Sequence, residues 1–305
     1  MKRIIETTSL TTNSKCSFVT VIGEPNAGKS TLINKIVGEK ISIVSNKVQT
    51  TRRPVRGIVN LGMTQIVFVD TPGFCRAGTP LEKVIFSNFK ASYKSADMTL
   101  LVIDAASKTN RQALSFIENQ KRDESKFSVV INKIDAVKKA TLLPLADKMM
   151  KYDFVGQVFM ISALNGDGIE ELKIFLRDSA PDGHWLYEQN QSTDLSLKIK
   201  LSEITREKLF NKLDKELPYS LYVETELLRE FDTKTEVCQA IVVIKNSQKG
   251  IILGKNGRMI KGIREEATFE MKKLLHKKIE LKLFVKVREK WPEKKEHLQN
   301  AGIID

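Results

Sequence analysis

The stretch that most constrains this chain lies near its start. An apolar, β-branched run (Phe18, Val19, Val21, Ile22) leads into Gly23-Glu24-Pro25-Asn26-Ala27-Gly28-Lys29-Ser30. A helical pattern follows, with Leu32, Ile33, Ile36 and Val37 on one side. Gly23, Gly28, Lys29 and Ser30 fit G-x-x-x-x-G-K-[ST], a phosphate-binding loop set between a strand and a helix. Glycines let the backbone curl so that several N–H groups point at one anion, and the helix N-terminus adds its positive dipole end. Lys29 is placed to reach the terminal phosphates and the Ser30 hydroxyl to hold Mg²⁺. The pattern predicts a strand–loop–helix unit that binds a nucleoside triphosphate.

The segments downstream narrow the nucleotide. Residues 40–60 are basic in the middle with strand-like flanks, and they carry Thr50 and Thr51. A threonine in such a segment can close onto Mg²⁺ only while the γ-phosphate is present. Either one could serve, and the residues do not decide between them. A strand over Ile66–Val69 ends in Asp70-Thr71-Pro72-Gly73-Phe74. The acid can hold the Mg²⁺ shell, and the Gly73 N–H can approach the γ-phosphate. The residues point to Lys29, Asp70 and Gly73 as the catalytic set and to Ser30 and Asp70 around the metal. Phe74 stands where many small GTPases place a water-orienting glutamine, so either hydrolysis is slow and stimulated by a partner, the expectation kept here, or another group arranges the water. Asn26 is a candidate to hold K⁺ beside the phosphates; the alternative is that it only shapes the turn.

Further strands are expected at 98–105, 127–135 and 158–162. The second of them ends in Asn132-Lys133-Ile134-Asp135. An aspartate there accepts hydrogen bonds from the N1–H and 2-amino group of guanine, a pair that adenine lacks. Asn132 would brace the pocket, the Lys133 stem would cover the base, and Ser162-Ala163 would contact it from the last strand. GTP and GDP are the expected ligands. Strands alternating with helices over 80–94, 108–124, 138–151 and 168–179 predict an α/β doubly wound, mostly parallel sheet.

Residues 182–200 read as a polar linker after the turn Pro181-Asp182-Gly183. An amphipathic helix is expected over 202–217, ended by Pro218, then two strands around Asp232-Thr233-Lys234. Gly254-Lys255-Asn256-Gly257 then sits between two helical patterns and precedes a strand over 279–287. This is the G-x-x-G of a type II KH module in the order αββααβ, an α+β domain whose glycines let the backbone approach single-stranded nucleic acid. Lys255, Asn256, Arg258 and Lys261 would line the contact. The charge is concentrated there. Net charge swings from −3 over 201–240 to +9 over 241–290, within a chain of 305 residues carrying +13. Such a balance points to a polyanionic partner, RNA or an acidic membrane surface.

The expected organisation is a flexible tail over 1–14, a GTPase domain over 15–181, the linker, a KH domain over 201–290 and a tail over 291–305. Three scattered cysteines (Cys16, Cys75, Cys238) fit a reducing cytoplasm rather than a disulfide framework. No run approaches the length of a membrane span, and Met1-Lys2-Arg3 with Glu6 does not read as a secretory signal.

Taken together, GEPNAGKST, QTTRR, DTPGF, NKID, SAL, ELPYS and GKNGRMIKGI resemble the Era family of bacterial GTPases over roughly residues 15–295. The resemblance implies a GTP-hydrolysing switch that assists 30S ribosomal subunit assembly. It further implies a KH domain on the 3′ end of small-subunit ribosomal RNA, and a cytoplasmic protein with a peripheral inner-membrane fraction. Carried onto this chain, the nucleotide contacts are Gly23 to Ser30, Asp70 to Phe74 and Asn132 to Asp135. The resemblance also adds Thr51 to the catalytic set and to the metal shell. A monomer is expected. Two rival readings are a non-enzymatic RNA anchor and a membrane-surface GTP-binding protein. The intact Lys29, Ser30, Asp70 and Gly73 weigh against the first, and the glycine loop weighs against the second.

Overall fold

Apolar runs that are buried on both faces end up at the middle of a sheet, and here they do so in the order β2-β3-β1-β4-β5-β6. These strands are β1 (Lys15–Gly23), β2 (Val55–Leu61), β3 (Thr64–Asp70), β4 (Met98–Asp104), β5 (Phe127–Asn132) and β6 (Val155–Met160). Val19, Val21, Ile66, Val67, Leu100, Leu101, Val129 and Val130 are all fully buried. Among these strands β2 runs antiparallel to its neighbour and the other pairs are parallel. The computed structural model describes residues 14–45, 47, 51–71, 81–84, 87, 95–107, 109–118 and 127–304.

Helices α1 (Lys29–Val37), α2 (Arg111–Glu118), α3 (Leu142–Met150) and α4 (Ile169–Ser179) belong to this sheet. Strands β3 and β4 lie on opposite sides of β1, which creates a switch point at the carboxyl ends of β1, β3 and β4. The helix expected over 80–94 is described only at residues 81–84 and 87, which are helical.

The second half forms α5 (Leu197–Lys212), β7 (Tyr222–Glu230), β8 (Lys234–Val243), α6 (Asn246–Leu253), α7 (Arg258–Leu275) and β9 (Lys278–Val287), the αββααβ order. Strands β7 and β8 are antiparallel, and β8 and β9 are parallel. Leu209, Leu221, Ile241, Ile252 and Ile263 form the centre of one core cluster between helices and sheet. A short α8 (Lys295–Asn300) follows near the end of the chain.

The chain divides into two compact units, and the division departs from contiguous domains. The described residues of 14–41, 54–71 and 95–194 make the first, while those of 42–53, 81–87 and 195–304 make the second.

Three sequence expectations change. The stretch 182–194 is no loose linker. Gln65 is fully buried and its Oε1 accepts from the N–H groups of Leu186 (2.9 Å) and Tyr187 (3.0 Å). The Ile58 N–H donates to the Ser192 carbonyl at 2.8 Å, and Arg56 pairs with Asp194 at 2.7 Å. This segment is thus laid along β2 and β3. Helix α5 begins at Leu197 and stops at Lys212, well before Pro218, which sits in a separate 3₁₀ turn. Nor is it amphipathic, because Thr205, Arg206 and Glu207 are buried along with Leu201, Leu209 and Phe210. Finally, the stretch from 291 onward is part of the fold. Trp291, Leu298 and Ile303 are buried against Tyr222, Ala240 and Val242, on the face of the sheet opposite α5, α6 and α7.

Candidate functional site

The loop between β1 and α1 is shaped by its own backbone. Gly28 has φ +93°, and a Cβ there would meet the Asn132 side-chain nitrogen at 2.2 Å. No other residue fits. Asn26 also takes the left-handed region, φ +64°, with its side chain exposed, consistent with a turn-shaping role. Helix α1 begins at Lys29, so its first N–H groups face the loop and offer an anion site.

Lys29 is 7% exposed and donates to the carbonyls of Gly23 (3.1 Å) and Glu24 (3.0 Å). Burial lowers its pKa to about 8, with the Asp70 and Glu24 carboxylates pulling the other way. The Glu24 carboxylate is engaged elsewhere. It accepts from the N–H groups of Gln112 (2.7 Å) and Ala113 (3.1 Å) at the start of α2, where a negative charge also suits the helix dipole. Pro25 and Ala27 complete the turn, with Ala27 buried.

Strand pairing brings Asp70 to the loop. Val21 and Asp70 are register partners on adjacent parallel strands, so the acid lies near the carboxyl end of β1. Ser30 Oγ donates to Asp70 Oδ2 at 2.8 Å. A hydroxyl and a carboxylate are hard oxygen donors of the kind Mg²⁺ takes, and Mg²⁺ ordinarily uses one or two protein groups with the rest from phosphate and water. Thr71 is fully buried and donates to the Val21 carbonyl at 2.8 Å, tying β3 to β1 just past the acid. Thr50, Pro72, Gly73 and Phe74 lie outside the described residues. Thr51 falls in the second unit.

The third cluster forms at the ends of β4, β5 and β6. Asn132 is 2% exposed; its Nδ2 donates to the Ala27 carbonyl and its Oδ1 accepts from the Ala163 N–H, both at 2.9 Å. One side chain therefore joins the phosphate loop, the N-K-x-D turn and the S-A-L turn. Lys133 takes φ +64° and its ammonium pairs with Asp104 at 2.6 Å. Ile134 donates to the Ile161 carbonyl at 3.2 Å, which fixes the 3₁₀ turn (Ile134–Ala136) that presents Asp135 to solvent. Ser162 is buried, and its hydroxyl accepts from the Asn165 N–H at 3.1 Å. Asp104 was missed by the sequence reading. An acid ending an apolar strand, like Asp70 in β3, was the available signal.

In the second unit, α6 and α7 are joined by the 3₁₀ turn Lys255–Gly257. Gly254 has φ +69° and ψ 173°, and a Cβ there would meet the Met259 Cβ at 2.7 Å. The left-handed Asn256 and Gly257 then reverse the chain into α7. Lys255, Asn256, Arg258 and Lys261 are placed around this loop, where Lys255 and Asn256 are exposed and Lys261 projects from the first turn of α7. Lys261 lies 3.9 Å from Glu265, one helical turn on, a solvent-screened pair that leaves most of its charge available.

A phosphate loop, an acid-tipped β3 and an N-K-x-D turn, gathered at the switch point of one sheet, define a guanine-nucleotide-binding P-loop protein, here carried on one chain with a KH fold. Comparison with known proteins agrees. Residues 18–133 match the 50S ribosome-binding GTPase family and residues 216–292 the KH domain family. The chain is 43% identical to GTPase Era of Brucella suis biovar 1 (strain 1330) over 96% of its own length and 94% of that protein's. It is 42% identical to GTPase Era of Agrobacterium fabrum (strain C58), with 95% and 92% covered. It superposes with TM-score 0.89 and 32% identity on the crystal structure of Era in complex with MgGDPNP and nucleotides 1506–1542 of 16S ribosomal RNA, covering 96% of this chain and all of that one. A point variant of Aquifex aeolicus Era bound to GDP·AlF4⁻ gives the same TM-score at 33% identity, with 95% of this chain and 100% of that chain covered. The chain belongs to the Era family of GTPases.

Proposed function

We propose that this protein is a GTP-hydrolysing switch that binds the 3′-end region of small-subunit ribosomal RNA and assists 30S subunit assembly. The observation that carries the reading is the full-length similarity to an Era that holds MgGDPNP and nucleotides 1506–1542 of 16S ribosomal RNA together. In this reading the N–H groups of Gly23 to Ser30 and the Lys29 ammonium bind the phosphates. Asp135 reads guanine, Asn132 and Lys133 shape its pocket, and the Ala163 side supports the base. Ser30 and Asp70, joined by Thr51, would hold Mg²⁺, which would supply positive charge to offset the negative charge of the phosphates. Gly73 would meet the γ-phosphate. With Phe74 unable to orient water, hydrolysis is slow until a partner acts. K⁺ held near Asn26 is the proposed substitute charge, and equal hydrolysis rates in K⁺ and Na⁺ would remove it.

The Gly254–Gly257 loop, with Lys255, Arg258 and Lys261, takes the backbone of a single strand; KH grooves hold about four nucleotides. The protein acts as a cytoplasmic monomer. Its net charge of +13 supports a peripheral fraction at the inner-membrane surface.

The test is GTP hydrolysis with and without an oligonucleotide of the 16S 3′ end, comparing wild type with the double variant K255E/R258E. A Gly254→Asp change is the poorer probe, because its Cβ would collide with Met259 and distort the loop itself. RNA should accelerate wild-type hydrolysis, and the double variant should lose RNA binding while hydrolysing GTP alone at the wild-type rate. RNA affinity unchanged by the double variant would refute the loop assignment.

A further inference from the structure

Around the candidate γ-phosphate threonine, the described residues 44, 45, 47, 52 and 53 are each bonded to other parts of the second unit. The Val44 N–H donates to Glu207 Oε1 at 3.2 Å, and Ser45 Oγ to Asn211 Oδ1 at 3.0 Å. Lys47 reaches the Leu213 carbonyl and pairs with Asp214. Arg53 donates to the Gly302 carbonyl at 3.1 Å. The deepest of these anchors is Arg52. It is 6% exposed, and its guanidinium donates to three carbonyls of one turn: Leu221 at 2.6 Å, Pro218 at 2.9 Å and Tyr219 at 3.0 Å. That turn links α5 to β7 at the entrance of the KH fold.

The chemistry of this seat is unusual for a mere core contact. All three acceptors are neutral. Arg206 already takes Glu203 in a two-pronged pair (2.8 and 2.6 Å), and both guanidinium groups lie near the same Phe210 ring, 5.2 Å for Arg206 and 5.9 Å for Arg52. Burial, and then the like charge of Arg206, outweigh the pull of Glu203 and lower the Arg52 pKa to about 9. A buried cation beside another cation, hydrogen-bonded to neutral carbonyls, recovers little of its desolvation cost. It is oriented firmly by its planar fork, and its three hydrogen bonds satisfy carbonyls of one turn, so it fixes its own segment against that turn.

We propose that Arg52 is the positioning residue through which the RNA-binding module controls the nucleotide-sensing threonine. The inference rests on the reading that Thr50 or Thr51 senses the γ-phosphate and that the KH loop binds RNA. Thr51 is the adjacent residue along the backbone. Two residues beyond Arg52 comes Pro54, and β2 of the GTPase sheet starts at Val55. A threonine one peptide bond from an anchored guanidinium is restricted in how far its backbone can travel. Whatever shifts the 218–221 turn shifts Thr51, and a triphosphate that draws in Thr51 pulls on that turn. By linkage the influence is reciprocal.

The test uses full-length protein as wild type, R52M and R52K. RNA affinity is measured in the GDP and GDPNP forms with an oligonucleotide of the 16S 3′ end, and single-turnover hydrolysis is measured with and without it. Wild type should show a coupling factor in the range of about 5- to 150-fold, and in R52M both ratios should fall to within about twofold of unity. RNA affinity in the GDP form should stay at the wild-type level, which a damaged KH module would not allow. R52K keeps the buried charge but cannot fill three carbonyls in the same planar fork, so an intermediate ratio is expected. It keeps the test decisive should R52M fail to fold. Full coupling in either variant overturns the role of Arg52 alone. A wild type that binds RNA and shows no coupling overturns the inference but leaves the GTPase and RNA-binding assignments standing. A wild type that binds no RNA overturns the RNA-binding assignment and this inference with it.

Discussion

Replacing Asn132 by alanine tests the claim that one side chain holds the nucleotide site together. The change removes two hydrogen bonds of 2.9 Å and leaves the Ala27 carbonyl and the Ala163 N–H, both on residues no more than 3% exposed, without their partner. Each buried polar group stranded in this way costs about 1–3 kcal/mol. The sum is about 2–6 kcal/mol, and water entering the space left by the side chain favours the lower half. For a unit of this size each kcal/mol lowers Tm by about 2–4 °C, so N132A should melt about 4–16 °C below wild type. The assay is thermal and urea unfolding of protein stripped of nucleotide, so that altered GDP binding does not enter the comparison. N132D sharpens it. Its carboxylate can still accept from Ala163 but turns a second oxygen toward the Ala27 carbonyl. It should therefore be less stable at about pH 7 than at about pH 5, where protonation begins to restore a donor. A loss under about 0.5 kcal/mol in N132A would place it with ordinary surface changes and refute the bracket.

Lys29 gives a pH dependence. Its folded pKa, lowered by burial to about 8, lies below the ordinary 10.5, so between those values the unfolded chain holds the extra proton. Stability of the stripped protein should therefore rise from about pH 8 to 10.5, with the full penalty present below pH 8. GDP binding at about pH 8 should take up a fraction of a proton, visible as a buffer-dependent enthalpy in calorimetry; equal enthalpies in phosphate and Tris would contradict the lowered value. Asp135→Asn exchanges a double acceptor for one acceptor and one donor. GTP affinity should drop at least about tenfold while xanthosine triphosphate gains, and a proportional loss of both would point to a folding defect. Trp291→Ala empties a fully buried site beside Tyr222, at 4.7 Å between ring centroids, and removes a 3.0 Å bond to the Ser220 carbonyl. A cost of about 3–5 kcal/mol is expected in urea unfolding, whereas a dispensable tail would show none.

The parts of the fold that could be read in advance are those in which the signal is a run of side chains. Strands β1, β3, β4 and β5 are mostly apolar stretches because both faces are covered, and each ends in the residue that marks its role: Gly23, Asp70, Asp104 and Asn132. The G-x-x-G loop was legible for the same reason, since Gly254 (φ +69°) and Gly257 (φ +73°) interrupt two helical patterns. Helix α5 was misplaced because its periodicity is real only on one side. Thr205 turns inward to Gln239 at 2.5 Å and Arg206 to Glu203, so polar residues that look solvent-facing are buried in pairs. No hydropathy pattern distinguishes a satisfied buried pair from an exposed one.

A second kind of contact lies further from the reach of pattern. Gln65 is bound to the backbone of residues 121 and 122 positions away, and Arg52 to carbonyls 166 to 169 positions away. In both cases the partner is main chain, which every residue carries, so the partner's identity leaves no trace in the sequence. Asn132 makes the same kind of bond across 105 residues to the Ala27 carbonyl, and only its membership in N-K-x-D drew attention to it. These three residues have a common physical logic. A side chain that satisfies distant backbone groups fixes the position of a segment without requiring any particular side chain there, and so it can join parts of a chain whose own sequences are set by other demands. The strap over 182–194 and the segment over 42–53 are both polar, and both would read as loose loops. Each is held to its unit by such bonds. What sets the outer frame of each unit is therefore the distribution of a few buried polar side chains. The apolar runs determine only where the sheets lie.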